Sequence, residues 1–315
     1  MRPTFMGFET ATRGMMAQQK ALDIVGNNVG NIGVTGYTRQ RVDMVSMALS
    51  NVNGRFAQSP VGRAGQGVNV TGVSQIRDPF LDKRFREEYA DVGYYSKMVD
   101  ILGDVEDGLN EIEPSNMSEA LSAFQEAWKK LEGKDSVAGS TLLATARTLT
   151  QVFKQLDSKL NSTWAQQKYD LEVNVNSVNS ILERIANLND TIKKETFASA
   201  SSGSSSQPNE LLDARNVLLD QLSEYGDIQF TTNPDNTVTV RMGKEGHVVV
   251  DGAWNETLNL VQREGEQSVS VRWQTQGQPI DLASGSMKAS LDMLNGRGTS
   301  ARPTAGETFE NGILY

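Results

Sequence analysis

The sequence predicts an elongated α+β protein in which helices predominate. Between Thr141 and Ala200 there is neither Gly nor Pro, and apolar residues recur at alternating steps of four and three, as in a coiled coil. After Gly226 the apolar period changes to two, which is typical of strands. Hydrophobic residues make up only 38% of the 315 residues, which indicates a high ratio of surface to core.

The composition excludes several classes of protein. The chain contains no Cys, so disulfides, thiol catalysis and Cys-type zinc sites are ruled out. Its net charge of −9 repels phosphate, and we therefore expect no nucleic-acid partner. No apolar run approaches the ~18 residues of a membrane span, and the N-terminus lacks the continuous apolar region of a cleaved signal peptide.

The first element is a predicted helix over residues 4–32 with few charged side chains. One seam of this helix repeats every seven residues and consists of Phe8, Met15, Leu22 and Val29, with Phe5 opening a weaker second seam. A solitary surface helix normally carries a strongly charged outer face. Two interpretations stay open: a core helix of a globular domain, or a helix buried on several sides by other copies or partners. We favour the second.

An extended arm is predicted after this helix. Residues 26–36 alternate Gly and Asn with apolar residues, and both Gly and Asn tolerate left-handed backbone. Polar and apolar residues then alternate over 37–44 and again over 67–73, which is strand periodicity. The glycines at 65–67 lack the spacing of a nucleotide-binding loop.

A long helical region is predicted next. Asp78 is a suitable N-cap for a helix that runs to about residue 110, and the basic residues at 83–86 are interpreted as part of its solvated face. Asn116 and Glu119 fit a capping box, and Trp128 is interpreted as a core anchor of the helix that follows.

The Gly-free segment predicts a helix of roughly 60 residues, about 90 Å long. Asn189 occupies a position of its seam, where a buried amide helps to fix register. A flexible loop over 199–209 and a returning helix over 210–226 are expected. Short strands follow, and a last short helix is predicted over 284–296.

The domain organisation predicted from these patterns has five units. They are an axial helix (1–36), an extended β-like arm (37–77), a long helical bundle (78–226), a β-rich subdomain (227–283), and a short helix with a tail (284–315).

The sequence offers little support for catalysis. The one histidine, His247, lies between a turn and a Val-rich segment, which indicates a structural histidine. No nucleophile elbow, P-loop or His-Glu-x-x-His motif is present, and the acidic residues over 104–113 are interpreted as solvated charges. We therefore expect no catalytic residue, no cofactor and no metal.

Several segments together carry a resemblance to a known family. The segment GMMAQQKALDIVGNNVGNIGVTGYTRQ (14–40) resembles the N-terminal motif of the flagellar rod, hook and hook-associated proteins. Segments 65–86, 113–133 and 209–223, with the strands after 236, are similar to the hook-associated protein 1 family, which forms the first junction between hook and filament.

The resemblance implies a structural protein that forms a ring of subunits and connects hook to filament. It also implies export through the flagellar type III apparatus with an export chaperone, and an extracellular location in the flagellum. Other copies of the chain, the hook protein and the second junction protein are the implied partners. Members of the family carry a C-terminal helix that packs coaxially with the N-terminal one, and it is expected downstream of Tyr315.

We expect the assembly interface to lie on the first helix and its exit. The candidate residues are Phe5, Phe8, Met15, Leu22, Val25, Asn28, Val29, Asn31, Gly36 and Tyr37. In this interpretation the Asn amides bind neighbouring subunits. The alternatives are another axial protein, such as a hook or distal-rod protein, or a flagellum-associated cell-wall hydrolase. The Gly-free helix favours the junction protein, because hook and rod proteins are mainly β outside their terminal helices.

Overall fold

The computed structural model describes residues 6–47, 67–110, 114–132, 138–201, 207–262 and 268–296. The helices in these ranges are α1 (Met6–Gly30), α2 (Pro79–Asn110), α3 (Pro114–Glu132), α4 (Ala138–Ser201), α5 (Asn209–Tyr225) and α6 (Ser286–Leu294). The strands are β1 (Gln40–Ser46), β2 (Val68–Gln75), β3 (Ile228–Thr232), β4 (Val238–Met242), β5 (His247–Asp251), β6 (Trp254–Asn255), β7 (Leu258–Gln262) and β8 (Val269–Trp273). The predicted α+β class with predominant helix is confirmed.

The sheets are small and antiparallel. β1 pairs with β2, β3 to β6 form one sheet in chain order, and β7 pairs with β8. A turn at 243–246 joins β4 to β5. The predicted tail after 296 and residues 48–66 of the predicted arm lie outside the described residues.

The long helix α4 is the central structural element of the molecule. It has 64 residues and is therefore about 96 Å long. Its apolar pattern forms two seams, the first over 142–163 and the second over 171–192. The second seam is buried throughout, with Leu171, Leu182 and Ile185 at 0% exposure. The first seam is only partly covered, since Phe153 and Leu160 are exposed. The predicted helix of roughly 60 residues is confirmed.

One hydrophobic core joins the second half of α4 to α5, α6 and the strands after residue 226. Leu182 of α4, Leu222 of α5 and Met287 of α6 belong to the same buried cluster as Val240 and Val271 from the sheets. The division into five units stays a prediction, and this shared core crosses the boundary that it places at residue 226.

Asparagine side chains bind the first residue of four strands, three of them from within a helix and the fourth, Asn295, from the C-cap position of α6. In each pair the Nδ2 group donates to the strand carbonyl and the strand N–H donates to Oδ1, at 2.8 to 3.1 Å. The pairs, which we call asparagine clasps, are Asn28 with Gln40, Asn179 with Leu258, Asn189 with Val238, and Asn295 with Val269. Each clasp continues the strand's hydrogen bonding beyond its end and ties helix and strand to one register.

The Asn189 clasp lies in the core and has further partners. Its Nδ2 also donates to the Gly252 carbonyl, at 3.0 Å, and its Oδ1 accepts a bond from Arg215 Nη1, at 3.0 Å. Burial, together with the charge of Arg86, lowers the pKa of Arg215 to about 10. The buried amide that the seam predicts therefore sets the register of α4 against a sheet.

Three local predictions were wrong. Trp128 is 53% exposed, because α3 faces α4 through the small buried residues Ala120 and Ala127. The capping box fails because α3 already begins at Pro114, which places Asn116 inside the helix. Of the basic residues at 83–86, Arg86 is only 2% exposed and bonds Asp220 Oδ1 at 2.7 Å. The burial lowers the pKa of Arg86, and the carboxylate of Asp220 acts against this.

Candidate assembly interface

Helix α1 has two apolar faces, of which one is buried and the other is exposed. One is formed by Ala17 and Ile24, which are buried, and the elements in contact with α1 are β1 and β2. The other is the predicted seam of Phe8, Met15, Leu22 and Val29, which is 64–74% exposed. Residues two apart point about 200° apart on a helix, so the seam faces away from the arm.

Two further apolar side chains extend this exposed surface toward the end of α1. Val25 lies three residues after Leu22 on the same face of α1, and Ile32 is exposed in the turn directly after the helix. We call this surface, with the four seam residues, the α1 seam. Phe5, the remaining apolar candidate, lies outside the described residues. The described part of the chain thus leaves a continuous apolar stripe on a helix with few charges.

The exit from α1 is held by the Asn28 clasp. Asn28 Nδ2 donates to the Gln40 carbonyl at 2.8 Å, and its Oδ1 accepts bonds from the Gln40 N–H and the Tyr37 hydroxyl, at 2.9 and 2.8 Å. Burial and the nearby charge of Asp213 raise the pKa of Tyr37. The clasp turns the chain back so that β1 runs beside α1.

Gly36 is required at this exit for two reasons. Its φ of +84° is favourable for glycine, and a Cβ there would lie 2.2 Å from Val217 Cγ2 of α5. The segment after α1 therefore touches the body of the protein at the point where it reverses direction.

The arm is also fastened to α5 by polar contacts at Asp213. Its Oδ2 accepts the Thr38 N–H at 3.2 Å, and its Oδ1 accepts Gln75 Nε2 at 2.8 Å. Asn209 Nδ2 donates to the Val73 carbonyl at 3.2 Å. One carboxylate thus binds Thr38, just before β1, and Gln75, the last residue of β2. We call residues 33–39, together with the Asn28 clasp and these contacts, the joint.

The polar contacts of the joint continue into an ion-pair network beside α2. Arg77 Nε bonds Asp82 Oδ2 at 2.5 Å, and its Nη2 lies 3.8 Å from Asp220 Oδ2. Arg86, which also binds Asp220, lies over the Phe230 ring at 4.4 Å. The base of the arm therefore connects to α2 through a charged hydrogen bond and to α5 through an ion pair.

The structure groups the predicted interface residues into two sets. Phe8, Met15, Leu22, Val25 and Val29 lie on the α1 seam. Asn28, Gly36 and Tyr37 lie at the joint, and Asn31 bonds Asn27 through its Nδ2. The interpretation of Asn28 as an amide that binds neighbouring subunits needs revision, because both of its polar atoms are already bonded within the chain.

Sequence reasoning missed the partners of the joint. Asp213 and Gln75 are distant in sequence from α1, and no local pattern links them to it. The buried stripe of Ala17 and Ile24 does leave a signal, since the two residues are seven apart.

The histidine His247, which the sequence analysis interprets as structural, packs against the core. His247 opens β5 directly after a turn and stacks on the buried Trp273, with ring centroids 4.4 Å apart. Within the described ranges, no group of three or more His, Asp or Glu residues could hold a metal ion. None of the described helices combines the length and apolar character that a membrane crossing needs.

Comparison with known families gives two matches along the chain. Residues 102–308 match the model of the flagellar hook-associated protein FlgK helical domain. Residues 8–38 match the model of the flagella basal body rod protein. The second match contains the α1 seam and the first part of the joint.

Individual relatives agree with these matches. The chain is 32% identical over 235 residues to flagellar hook-associated protein 1 of Bacillus subtilis, covering 74% of this chain and 45% of the relative. It is 27% identical over 287 residues to the protein of that name from Salmonella typhimurium, covering 90% and 49%. The chain thus spans about half the length of these curated relatives.

A solved structure has a similar fold. The flagellar hook junction protein FlgK from Burkholderia pseudomallei superimposes with a TM-score of 0.52 at 21% identity. The similarity covers 67% of this chain and 38% of that one.

Proposed function

Because the chain belongs to the family of flagellar hook-associated protein FlgK, we propose that it is a junction protein that connects hook to filament. In this role it forms a ring of subunits and performs no catalysis. The match of residues 102–308 to the family's helical domain carries the proposal. Its partners are other copies of itself, the hook protein and the second junction protein.

The α1 seam supplies the assembly surface in this proposal. Full burial of each large apolar side chain contributes about 1.5–3 kcal/mol. Four seam residues together contribute several kcal/mol per subunit, which helps to offset the cost of ordering and immobilising the helix. In the flagellum the α1 seam packs against helices of neighbouring subunits, which are apolar on the facing side.

The joint fixes the direction in which α1 leaves the body. The Asn28 clasp, Gly36 and Asp213 connect α1 and its arm to α5 by hydrogen bonds and close contact. A ring requires the same angle between axial helix and body in every subunit. In this proposal Asn28, Gly36 and Tyr37 serve assembly by holding that angle.

Secretion follows the route of flagellar axial proteins in this proposal. The chain passes unfolded through the flagellar type III apparatus with the help of an export chaperone, without a cleaved signal peptide. The charge-poor N-terminal segment then forms α1 at the growing tip.

Immunogold electron microscopy of intact flagella tests the location. Antibodies raised against the 315-residue chain are applied to flagella of the source organism, with cells lacking the gene as control. We expect gold at the boundary of hook and filament, and filament protein shed into the medium by the control cells. Gold along the hook or in the rod would instead identify another axial protein. A peptidoglycan-release assay tests the hydrolase alternative, and we expect no release.

A further inference from the structure

Two neighbouring methionines of α1 are open to solvent. Met15 and Met16 are each 64% exposed, more than any other methionine whose side chain the structure describes. The next is Met117, at 37%, while Met242 and Met287 in the core are 1% and 0% exposed. A dissolved oxidant therefore reaches the thioethers of Met15 and Met16, and packing shields those of the core.

Thioethers are the only sulfur groups of this chain, which has 11 Met and no Cys. Hydrogen peroxide oxidises a thioether in one step. The sulfur lone pair attacks one peroxide oxygen, the O–O bond breaks, and a proton transfer releases water. The sulfur loses two electrons and becomes a sulfoxide, while the peroxide is reduced. The product carries a polar S=O group on a side chain that was apolar.

The two exposed methionines have different surroundings on α1. Met15 belongs to the α1 seam, where the residues seven positions before and after it are apolar. Met16 is rotated from it by about 100° and has Glu9 and Asp23 at the same spacing, both of them exposed. Oxidation therefore places a polar group within an apolar stripe at Met15, and among hydrated charges at Met16.

The fold of the isolated chain depends on neither side chain. The buried face of α1 is formed by Ala17 and Ile24, and the elements in contact with α1 are β1 and β2. Met15 points about 200° away from Ala17. We therefore expect sulfoxides at Met15 and Met16 to leave the folded chain intact and to change only the outer surface of α1.

We propose that Met15 is an oxidation site through which hydrogen peroxide blocks the α1 seam. The proposal rests on the proposed role of this seam in assembly. When a neighbouring helix covers the seam, a sulfoxide at Met15 loses its bound water, and an apolar facing surface offers its oxygen no hydrogen-bond donor. The oxidised subunit is therefore not incorporated into the ring.

Peptide mapping by mass spectrometry tests the oxidation itself. The folded 315-residue chain is treated with dilute hydrogen peroxide, and sulfoxide is measured at each methionine over time. We expect Met15 and Met16 to be oxidised at least about tenfold faster than Met242 and Met287, and this difference to disappear in urea. Oxidation of Met15 as slow as that of the core methionines would overturn the proposal.

Binding to hook ends tests the consequence of the oxidation. Flagella from cells lacking the gene provide free hook ends, and bound chain is counted with gold-labelled antibody. The oxidised sample of each variant is compared with the untreated sample of the same variant. We expect oxidation to reduce binding of the parent chain and of Met16→Leu at least about tenfold, and binding of Met15→Leu less than about twofold. The variants are a matched pair, because both positions are equally exposed.

The outcomes distinguish this proposal from the junction role. Unchanged binding of the oxidised parent chain, an equal loss in Met15→Leu, or a loss that Met16→Leu prevents would overturn the proposal and leave the junction role standing. Failure of the untreated chain to bind hook ends would contradict the junction role, and this proposal with it. Circular dichroism of the oxidised samples should match that of untreated chain, and unfolding by oxidation would also overturn the proposal.

Discussion

Helix α1 and the second half of α4 carry the same sequence pattern and differ in burial. The second seam of α4 runs from Leu171 to Ile192 in steps of four and three and is at most 3% exposed. The α1 seam has the same spacing at Phe8, Met15, Leu22 and Val29 and is 64–74% exposed. Heptad spacing therefore predicts a helix with a partner, and the partner of α4 lies within the chain.

The difference separates two roles for apolar surface. In α4 the seam meets α5 and the sheets, and it contributes to the free energy of unfolding of the isolated chain. In α1 the seam contributes to that free energy only when another molecule covers it. Substitutions at equivalent seam positions should therefore act on folding in α4 and on assembly in α1.

The largest expected effect follows from truncating the two seams. Leu182→Ala in α4 should lower the free energy of unfolding by about 2–5 kcal/mol, because a fully buried Leu leaves a cavity. Leu22→Ala in α1 is the matched control and should change it by less than about 0.5 kcal/mol. Urea denaturation followed by circular dichroism measures both. Equal losses in the two variants would contradict the comparison.

The asparagine clasps extend the comparison to polar groups. Asn189→Ala should cost about 2–3 kcal/mol, because it leaves buried backbone groups and the Arg215 guanidinium without a partner. Asn28→Ala should cost about 1 kcal/mol or less in global unfolding, because the joint is half-exposed. It should instead increase cleavage between α1 and β1 in limited proteolysis, where an unchanged pattern would contradict the role of the clasp.

The sequence predicts the helices well because their patterns are long. The absence of Gly and Pro over 141–200 and the repeating steps define α4 within three residues at either end. Which face of a helix is buried depends on contacts between distant segments. Trp128 shows this, because α3 packs through its alanines and leaves the larger residues outside. The asparagine clasps could not be predicted for the same reason, because the sequence around an Asn within a helix does not indicate which strand its side chain binds.

The residues of the candidate interface also divide into those that a local sequence pattern predicts and those that depend on distant segments. The α1 seam is visible in the sequence because its residues recur every seven positions. The joint depends on Asp213, which lies 175 residues from its partner Thr38. Gly36 was predicted as a candidate from local composition, and its contact with Val217 supplies the physical reason.

A smaller effect is expected at Gly36. Gly36→Ala should cost about 1–3 kcal/mol, because its φ of +84° is strained for Ala and the methyl group meets Val217. Gly26→Ala within α1 is the control and should be neutral or stabilising by about 0.5–1 kcal/mol, since no atom lies within 4 Å of the added Cβ. Thermal melting compares the two, and a neutral Gly36→Ala would contradict the close contact at the joint.

The smallest effect is expected at Trp128. Trp128→Ala should change the free energy of unfolding by less than about 1 kcal/mol, because the indole is half-exposed and its described ring contact is with Phe124. Trp273→Ala, in the core, is the control and should cost about 3–5 kcal/mol. Denaturation curves of both variants decide this, and a similar loss for Trp128 would show that it is buried in solution.

Thiol labelling at Leu22 tests the central claim, that the α1 seam is free in the isolated chain and covered in the flagellum. The chain has no Cys, so Leu22→Cys introduces a single reactive group. The account predicts rapid maleimide labelling of the isolated chain and strong protection of the same residue in assembled flagella. Equal labelling rates in both states, or protection already in the isolated chain, would contradict it.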